Sequence, residues 1–269
     1  MPDSDPAGRP STDAPARVPV PVETRAPAGE TNAYVLGRGE RVLVDPAART
    51  AALDDAAADV AHVAVTHTHP DHVGAVADYA DRADAAVWAF APYADRFAEA
   101  TGVAPDRRFR QGDELGDSGV TVVATPGHAP DHVAFVADGH AVTGDLAFAA
   151  SSVYVGAPDG DLRAYLASLR RVYARDFDAL HPGHGGVVES PRARVRELYF
   201  HRLERERRVL AAVDAGCGTV DAVVDHAYDR DLSGVRDLAG RAVRAHLEKL
   251  AVEGSVAWDG THAEPARRP

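Results

Sequence analysis

The fold of this chain is decided by the stretch THTHPDH, residues 66–72, which directly follows the apolar run HVAVT, residues 62–66. The apolar run predicts a short buried strand. Four side chains that can bind a metal ion follow it within six positions: His67, His69, Asp71 and His72. Imidazole and carboxylate suit zinc, with iron or manganese as alternatives. The spacing therefore predicts a metal site at a strand end rather than a polar surface loop.

Three further candidate ligands, His128, Asp145 and His184, follow later predicted strands, and each stands beside a glycine. Glycine lets the backbone turn sharply at such positions. Loops from one edge of a sheet can converge on a point, so we expect these residues to join the histidine cluster. Taken alone, Asp145 is equally compatible with a turn or a helix cap.

Alternating strand and helix signals fill residues 17–190 and predict an α/β fold with a mixed sheet and helices packed outside. The predicted strands are Arg17–Glu23, Ala33–Leu36, Arg41–Val44, His62–Thr66, Ala86–Phe90, Val120–Thr125, His132–Ala137, Ala141–Gly144 and Phe177–Leu180. The predicted helices are Thr50–Val60, His72–Arg82, Ala91–Ala100 and Asp161–Ala174.

After residue 190 the pattern becomes helical. The predicted helices are Arg192–Ala215, a second from the cap Thr219 through Tyr228, and Val235–Val252, followed by a strand at Ser255–Trp258. Three helices and a strand outline a winged-helix module. We therefore predict a disordered leader at 1–16, a catalytic domain at 17–190, a winged-helix domain at 191–260 and a disordered tail at 261–269.

Composition limits the class of protein. Of 269 residues, 45% are hydrophobic, which is enough for a sizeable core. No apolar run approaches the ~20 residues that span a bilayer, and the N-terminus lacks a secretory pattern. A single cysteine, Cys217, excludes an internal disulfide and a cysteine-rich zinc site. We predict a cytoplasmic protein without membrane contact, whose oligomeric state the sequence leaves open.

The net charge of −12 is distributed unevenly. Residues 1–190 carry a net charge of −13 and residues 191–269 one of +1, and Lys249 is the only lysine. Acidic excess with almost no lysine is typical of a halophilic archaeon, although a GC-rich genome gives the same bias. The near-neutral tail, with Arg236, Arg241, Arg244 and Lys249 on one predicted helix, favours contact with phosphates; a solvated or packed helix face is the alternative.

The ligand pattern His-x-His-x-Asp-His, Gly-His, Asp and His resembles the metallo-β-lactamase superfamily, whose fold is an αββα sandwich. The resemblance implies two divalent cations, zinc first and iron or manganese as alternatives. It implies that His67, His69 and His128 hold the first cation. Asp71, His72 and His184 would hold the second, with Asp145 bridging both. It further implies that Asp45 supports the histidine loop, and that Asp71 and Asp145 serve catalysis around a metal-bridging hydroxide.

The motifs TPGH (125–128), GD (144–145) and PGHG (182–185), followed by a helical tail, resemble the group around beta-lactamase-like protein 2. That resemblance implies a phosphodiesterase or endoribonuclease acting on single-stranded RNA. A glyoxalase II-like thioesterase is the alternative, although such enzymes usually continue the last motif as Gly-His-Glu. A nucleic-acid-binding regulator with a structural metal site is the third hypothesis, and the complete ligand set disfavours it.

Among the remaining histidines, His132 is a candidate for supporting the site or touching substrate, with a strand-start role as the alternative. We expect a structural role for His181 and an inert thiol at Cys217.

Overall fold

The computed structural model describes residues 14–26, 28–229 and 231–266. Its strands and helices follow in the order β1 Ala16–Pro21, β2 Glu30–Leu36, β3 Arg41–Val44, α1 Ala51–Ala56, β4 Val60–Ala64, α2 Pro70–Val73, α3 Val76–Ala83, β5 Ala86–Phe90, α4 Ala94–Thr101, β6 Arg107–Phe109, β7 Thr121–Ala124, β8 Val133–Ala137, β9 His140–Gly144, α5 Leu162–Tyr173, β10 Ala179–Pro182, α6 Pro191–Asp214, α7 Val220–Ala227, α8 Arg236–Val252, β11 Val256–Trp258 and β12 Ala263–Pro265. A short 3-10 turn, Ala91–Tyr93, precedes α4.

Two mixed sheets form the first part of the chain. The larger sheet has the order β1-β2-β3-β4-β5-β6, in which β3, β4, β5 and β6 are parallel to one another and the β1-β2 and β2-β3 pairs are antiparallel. The smaller sheet has the order β10-β9-β8-β7, with only β10 and β9 parallel. The single sheet expected from the alternating pattern is therefore two sheets, as in the αββα sandwich that the resemblance implies.

Successive side chains of each strand point to opposite faces of its sheet. One face packs against the other sheet, and the opposite face packs against helices. In β3, Val42 and Val44 pack in the core between the sheets, whereas Leu43 packs with Leu53 and Tyr79 of the outer helices. The opposite sheet sends its outward residues into a third cluster beneath α5 and α6. The result is a four-layer arrangement of helices, sheet, sheet and helices.

The C-terminal region has a core of its own, formed by α6, α7, α8 and the two short strands β11 and β12. Thr219 caps α7 by accepting a hydrogen bond from the backbone N of Ala222, as predicted. Residues 263–265 form β12 and pair with β11. At these residues the predicted disorder of the tail is therefore wrong. A three-residue strand with one buried side chain, Ala263, is too short to give a periodic signal.

Other differences are local. The expected helix 72–82 is divided into α2 and α3 at Gly74, where an added Cβ would lie 2.4 Å from the carbonyl oxygen of Ala47. Strand β6 carried too little apolar pattern to be predicted. The predicted leader falls largely on residues 1–13, outside the described residues, and Ala16 already begins β1. Within the described parts of the chain, no helix is long and apolar enough to span a membrane.

Candidate metal centre

Four loops that follow strand ends at one edge of the sandwich bring the predicted ligands together. The loops follow β4, β7, β9 and β10. The side chains form three overlapping groups, in each of which the donor atoms lie within 4.8 Å of one another. The groups are His67, His69 and His128; His67, His72 and Asp145; and Asp71, His72 and His184. All seven predicted residues therefore belong to one cluster.

Asp145 connects the two halves of this cluster through its two carboxylate oxygens. Its Oδ2 lies 3.6 Å from Nε2 of His128, which belongs to the first group. Its Oδ1 lies 3.6 Å from Nε2 of His72 and 3.5 Å from Nε2 of His184, which belong to the third. One carboxylate thus contacts both halves, the geometry expected of a bridging ligand.

Hydrogen bonds outside the cluster fix the tautomers of its histidines. Three of them donate through Nδ1 to fixed acceptors: His72 to Oδ2 of Asp45 at 3.0 Å, His128 to the carbonyl oxygen of Tyr154 at 2.7 Å and His184 to that of Glu30 at 2.8 Å. With Nδ1 protonated, the Nε2 lone pair of each ring points to the cluster.

His67 and His69 complete the first group in different ways. Nδ1 of His67 lies 3.0 Å from Oγ1 of Thr66, whose hydroxyl in turn donates to Asp45. His69 turns its Nδ1 inward, 3.0 Å from Nε2 of His67 and 2.9 Å from Nε2 of His128. Three ring nitrogens so close together are placed to share one cation when their lone pairs face inward.

Asp45 supports this arrangement from beneath, as the resemblance implies. It is fully buried, and its Oδ1 accepts a hydrogen bond from the backbone N of Thr66 at 2.6 Å. Its Oδ2 accepts hydrogen bonds from the Thr66 hydroxyl and from Nδ1 of His72. Asp45 adopts a φ of 56°, a left-handed conformation that non-glycine residues rarely hold without a specific reason. The strain positions one carboxylate for three hydrogen bonds.

The protonation states of the cluster suit cation binding. Burial, assisted by the neighbouring histidines, lowers the pKa of His67 well below its usual value and that of His69 to about 4. Both rings therefore stay neutral and keep a lone pair. Burial opposes the charge on His72, but Asp45, Asp145 and Asp71 outweigh it and raise its pKa to about 9. A cation near these carboxylates would replace that proton.

Two buried atoms at the centre of the cluster have no hydrogen-bond partner among the described residues: Nε2 of His72 and Oδ1 of Asp145. Buried polar atoms are nearly always satisfied, so an orphaned pair of this kind requires an explanation. The adjacent Gly183 is needed for space, because a Cβ there would lie 2.7 Å from Oδ1 of Asp145. The donor set and these two atoms fit a divalent cation.

Sequence reasoning missed Thr24, whose Oγ1 donates to Oδ2 of Asp71 at 2.6 Å. The same Asp71 oxygen lies 3.6 Å from Nε2 of His184. Although burial raises the pKa of the Asp71 carboxyl, His72 and Thr24 together hold it below its usual value. Thr24 lies in an irregular loop with no motif around it, so no sequence signal identified it.

Two other histidines differ in their relation to the cluster. His132 is fully buried, and its Nε2 accepts a hydrogen bond from the backbone N of Asp145 at 3.1 Å. It therefore holds the Asp145 loop from behind. His181 lies outside the cluster. Its Nε2 is 3.1 Å from Nδ1 of His140, and its ring packs edge-on against Tyr34.

The cationic face expected on α8 is only partly formed. Arg236 pairs with Asp225 at 2.7 Å, and buried Lys249 contacts Glu206 and Glu253 at 2.8 and 2.7 Å. These two cations are therefore engaged within the chain. Arg236, Arg241 and Arg244 are exposed, and of these Arg241 and Arg244 form no ion pair with the described residues.

The sequence model of the metallo-beta-lactamase superfamily matches residues 26–184, which include all seven clustered residues. The chain belongs to this superfamily, and the protein is a metal-dependent hydrolase by class.

Several curated proteins are similar over most of the chain. Lactamase-like protein adaB of Aspergillus niger is 28% identical over 88% of this chain and 79% of its own length. A beta-lactamase-like protein 2 homolog of Caenorhabditis elegans is 26% identical over 84% of this chain and 80% of its own. An atrochrysone carboxyl ACP thioesterase of Aspergillus fumigatus is 30% identical over 81% of this chain and 66% of its own.

Solved structures show the same fold. Metallo-beta-lactamase family protein TTHA1429 from Thermus thermophilus superimposes with a TM-score of 0.72 at 27% identity, covering 93% of this chain and 98% of its own. The protein TTHA1623, solved in a di-iron-bound form, has a TM-score of 0.53 at 31% identity over 66% of this chain and 98% of its own. The similarity to TTHA1429 therefore extends through the C-terminal helices.

Proposed function

We propose that this protein is a dinuclear metal hydrolase that cleaves acyl thioesters of small metabolites. In this proposal His67, His69 and His128 hold one cation. Asp71, His72 and His184 hold the other, and Asp145 contacts both. Zinc is the first candidate, and the di-iron-bound relative supports iron as the alternative, with manganese also compatible with the donor set.

The chemistry of the cluster follows from its donors. Two divalent cations there would supply Lewis acidity and would lower the pKa of a water molecule towards neutrality. The chain itself orients the reactants. Asp71, fixed by Thr24, can accept a hydrogen bond from the attacking water and hold its proton. The water oxygen forms a bond to the acyl carbon, the C–S bond breaks, and the thiol leaves with a proton.

One observation carries the choice of a thioester. A cavity of about 260 Å³ is lined by the loop 152–155 and by the C-terminal region, and most of its lining residues are apolar. That loop also supplies the carbonyl oxygen that orients His128. The apolar part of this cavity suits the aliphatic part of an acyl or thiol arm. The thioesterase among the relatives agrees with this assignment.

The single-stranded RNA substrate stays a prediction. Two of the four cations that favoured it, Arg236 and Lys249, are engaged in ion pairs. The exposed Arg241 and Arg244 still support binding of single-stranded RNA. Membership of a hydrolase superfamily favours an enzyme over the regulator with a structural metal site.

We further propose that residues 17–190 form the catalytic domain and that residues 191–260 form a winged-helix domain. In this scheme the C-terminal domain selects the substrate, because it supplies one wall of the cavity and none of the seven clustered ligands. The predicted cytoplasmic location is retained as part of the same proposal.

The test is a parallel assay of metal-loaded protein on a panel of acyl thioesters and on labelled single-stranded RNA. We expect thioester turnover that Asp71→Asn reduces by about 100-fold or more, the usual range for loss of a proton-holding group. Circular dichroism should show an unchanged fold. RNA cleavage that depends on Asp71, without thioester turnover, would replace this proposal by the RNA hypothesis.

A further inference from the structure

The cavity of about 260 Å³ shares one residue with the metal centre. The side chain of Tyr154 lines the cavity, while its carbonyl oxygen accepts a hydrogen bond from Nδ1 of His128 at 2.7 Å. A ligand packed against the Tyr154 side chain therefore contacts the residue whose carbonyl oxygen orients His128. The cavity is placed to hold a part of the substrate that extends away from the reacting bond.

One side of the cavity is cationic. Arg202, Arg205 and His201 of α6 line it, and none of its lining residues is acidic. Burial and the neighbouring guanidinium groups of Arg202 and Arg205 lower the pKa of His201, as expected where positive charges gather. This side therefore favours an anion.

Two buried donors at the cavity lack an acceptor among the described residues. They are Nε of Arg202, a side chain that is only 6% exposed, and the hydroxyl of Tyr154. Other atoms of the Arg202 guanidinium hold the loop, since one donates to the carbonyl oxygen of Val153. Both atoms are enclosed by protein, so they show how the side chains are held and are not donors open to the cavity. The positive charge of the fixed Arg202 guanidinium still favours an anion on this side.

The other side of the cavity is apolar. Leu232, Val235, Leu238 and Ala239 line it, and Val235 is 40% exposed at its rim. Together these side chains give the cavity an apolar side that an aliphatic group of a ligand could contact. The matching ligand carries an anionic group at one end and an apolar arm.

We propose that this cavity binds the phosphate-bearing pantetheine arm of the thiol that carries the acyl group. The inference rests on the proposed thioesterase function and specifies its substrate class. The phosphate would accept hydrogen bonds from Arg202 and Arg205, and the methyl groups of the arm would pack on Val235 and Leu238. The thiol end would then reach the metal centre past Tyr154. The same arm occurs on a small coenzyme and on a carrier protein.

The test measures binding of pantetheine 4′-phosphate, a product-like thiol, to the full-length metal-loaded protein by calorimetry. Pantetheine without the phosphate is the matched ligand. We expect the phosphate to tighten binding about tenfold or more, and Arg205→Gln to abolish that difference. Val235→Asp should weaken both ligands. Arg207→Gln and Val252→Asp, which change exposed residues on α6 and α8 outside the cavity, should leave both affinities unchanged.

Equal affinities for the two ligands, or equal effects of Arg205→Gln and Arg207→Gln, would overturn the proposal. Thermal unfolding of Arg205→Gln separates lost binding from lost folding, because Arg205 also bonds the carbonyl oxygen of Ala227. If Arg205→Gln unfolds at a lower temperature than the unaltered protein, its loss of binding is set aside. The proposal then depends on whether Val235→Asp weakens binding of both ligands. A carrier protein that binds more tightly than the free arm identifies the carrier as the source, and equal binding identifies the small coenzyme.

The two hypotheses fail separately. Thioester turnover without phosphate-dependent binding would leave the proposed function standing and remove the cavity from it. Phosphate-dependent binding that Arg205→Gln abolishes, without turnover of any thioester, would leave the ligand site standing and remove the proposed reaction.

Discussion

Oδ2 of Asp45 lies 3.0 Å from Nδ1 of His72, and both side chains are fully buried. The carboxylate holds the Nδ1 proton, so Nε2 is the atom that His72 presents to the cluster. Asp45 reaches this position from a left-handed backbone conformation at the end of β3. The contact therefore lets a residue at the end of β3 orient one candidate metal ligand.

Replacing Asp45 by Asn keeps the shape of the side chain and removes its charge. We expect affinity for the second cation to fall about 10- to 100-fold, because outer hydrogen bonds orient a ligating histidine and raise its basicity. Metal titration with a competing chelator measures this effect. Asp59→Asn, which alters an exposed carboxylate paired with Arg41, is the control and should bind both cations normally. Undiminished affinity in Asp45→Asn would show that the contact is incidental.

Thr24→Val tests the hydrogen bond to Asp71. The change is nearly isosteric and removes only the donor to Oδ2 of Asp71. We expect turnover to fall several-fold, with the pH profile shifted upwards, because Thr24 contributes to the lowered pKa of that carboxyl. The shift distinguishes a role at Asp71 from a general loss of stability. An unaltered pH profile would assign Thr24 to packing of the loop alone.

That the seven candidate ligands lie together was predictable, because their motifs are local and follow strands that end at one edge of the sandwich. Their metal binding stays a prediction. The two carbonyl oxygens that orient His128 and His184 belong to Tyr154 and Glu30, far away in the sequence. Any residue type can supply a backbone carbonyl, so no composition or spacing reveals such partners. Thr24 escaped prediction for a related reason.

Most elements of the fold were also predictable from the sequence. Alternation of strand and helix gave most elements within a few residues, whereas the division into two sheets required the family resemblance. Strand β6 and strand β12 are three residues long and carry almost no periodic signal. The expected cationic face of α8 failed because helical spacing does not show which side of a helix is buried. Lys249 lies on the buried side, next to Glu206.

The buried pair of Glu206 and Lys249 should stabilise the C-terminal region. Although burial opposes both charges, His246 and Lys249 lower the pKa of Glu206, and Glu206 and Glu253 raise that of Lys249. Its contribution is therefore complete above the ordinary glutamate value of 4.5 and is lost as the pH falls through the lowered value. It is equally lost as the pH rises above 10.5, through the raised value of Lys249.

Glu206→Leu leaves Lys249 buried beside Glu253 only, and we expect a loss of about 1–3 kcal/mol at neutral pH. Denaturant unfolding across the pH range measures the difference from the unaltered protein. That difference should shrink at acid pH, where Glu206 becomes protonated. Glu99→Leu, at an exposed site on α4, is the matched control. A difference that stays constant with pH would assign the effect to packing instead of charge.

Metal analysis of purified protein is the direct test of the proposal that one cluster of seven residues holds two divalent cations. We expect about two equivalents in the unaltered protein and about one each in His67→Ala and His184→Ala. Asp145→Ala should lose part of both, because its two oxygens contact both halves. His226→Ala, an exposed histidine outside the cluster, should keep two. Full metal content in both His67→Ala and Asp145→Ala would contradict the assignment of the site.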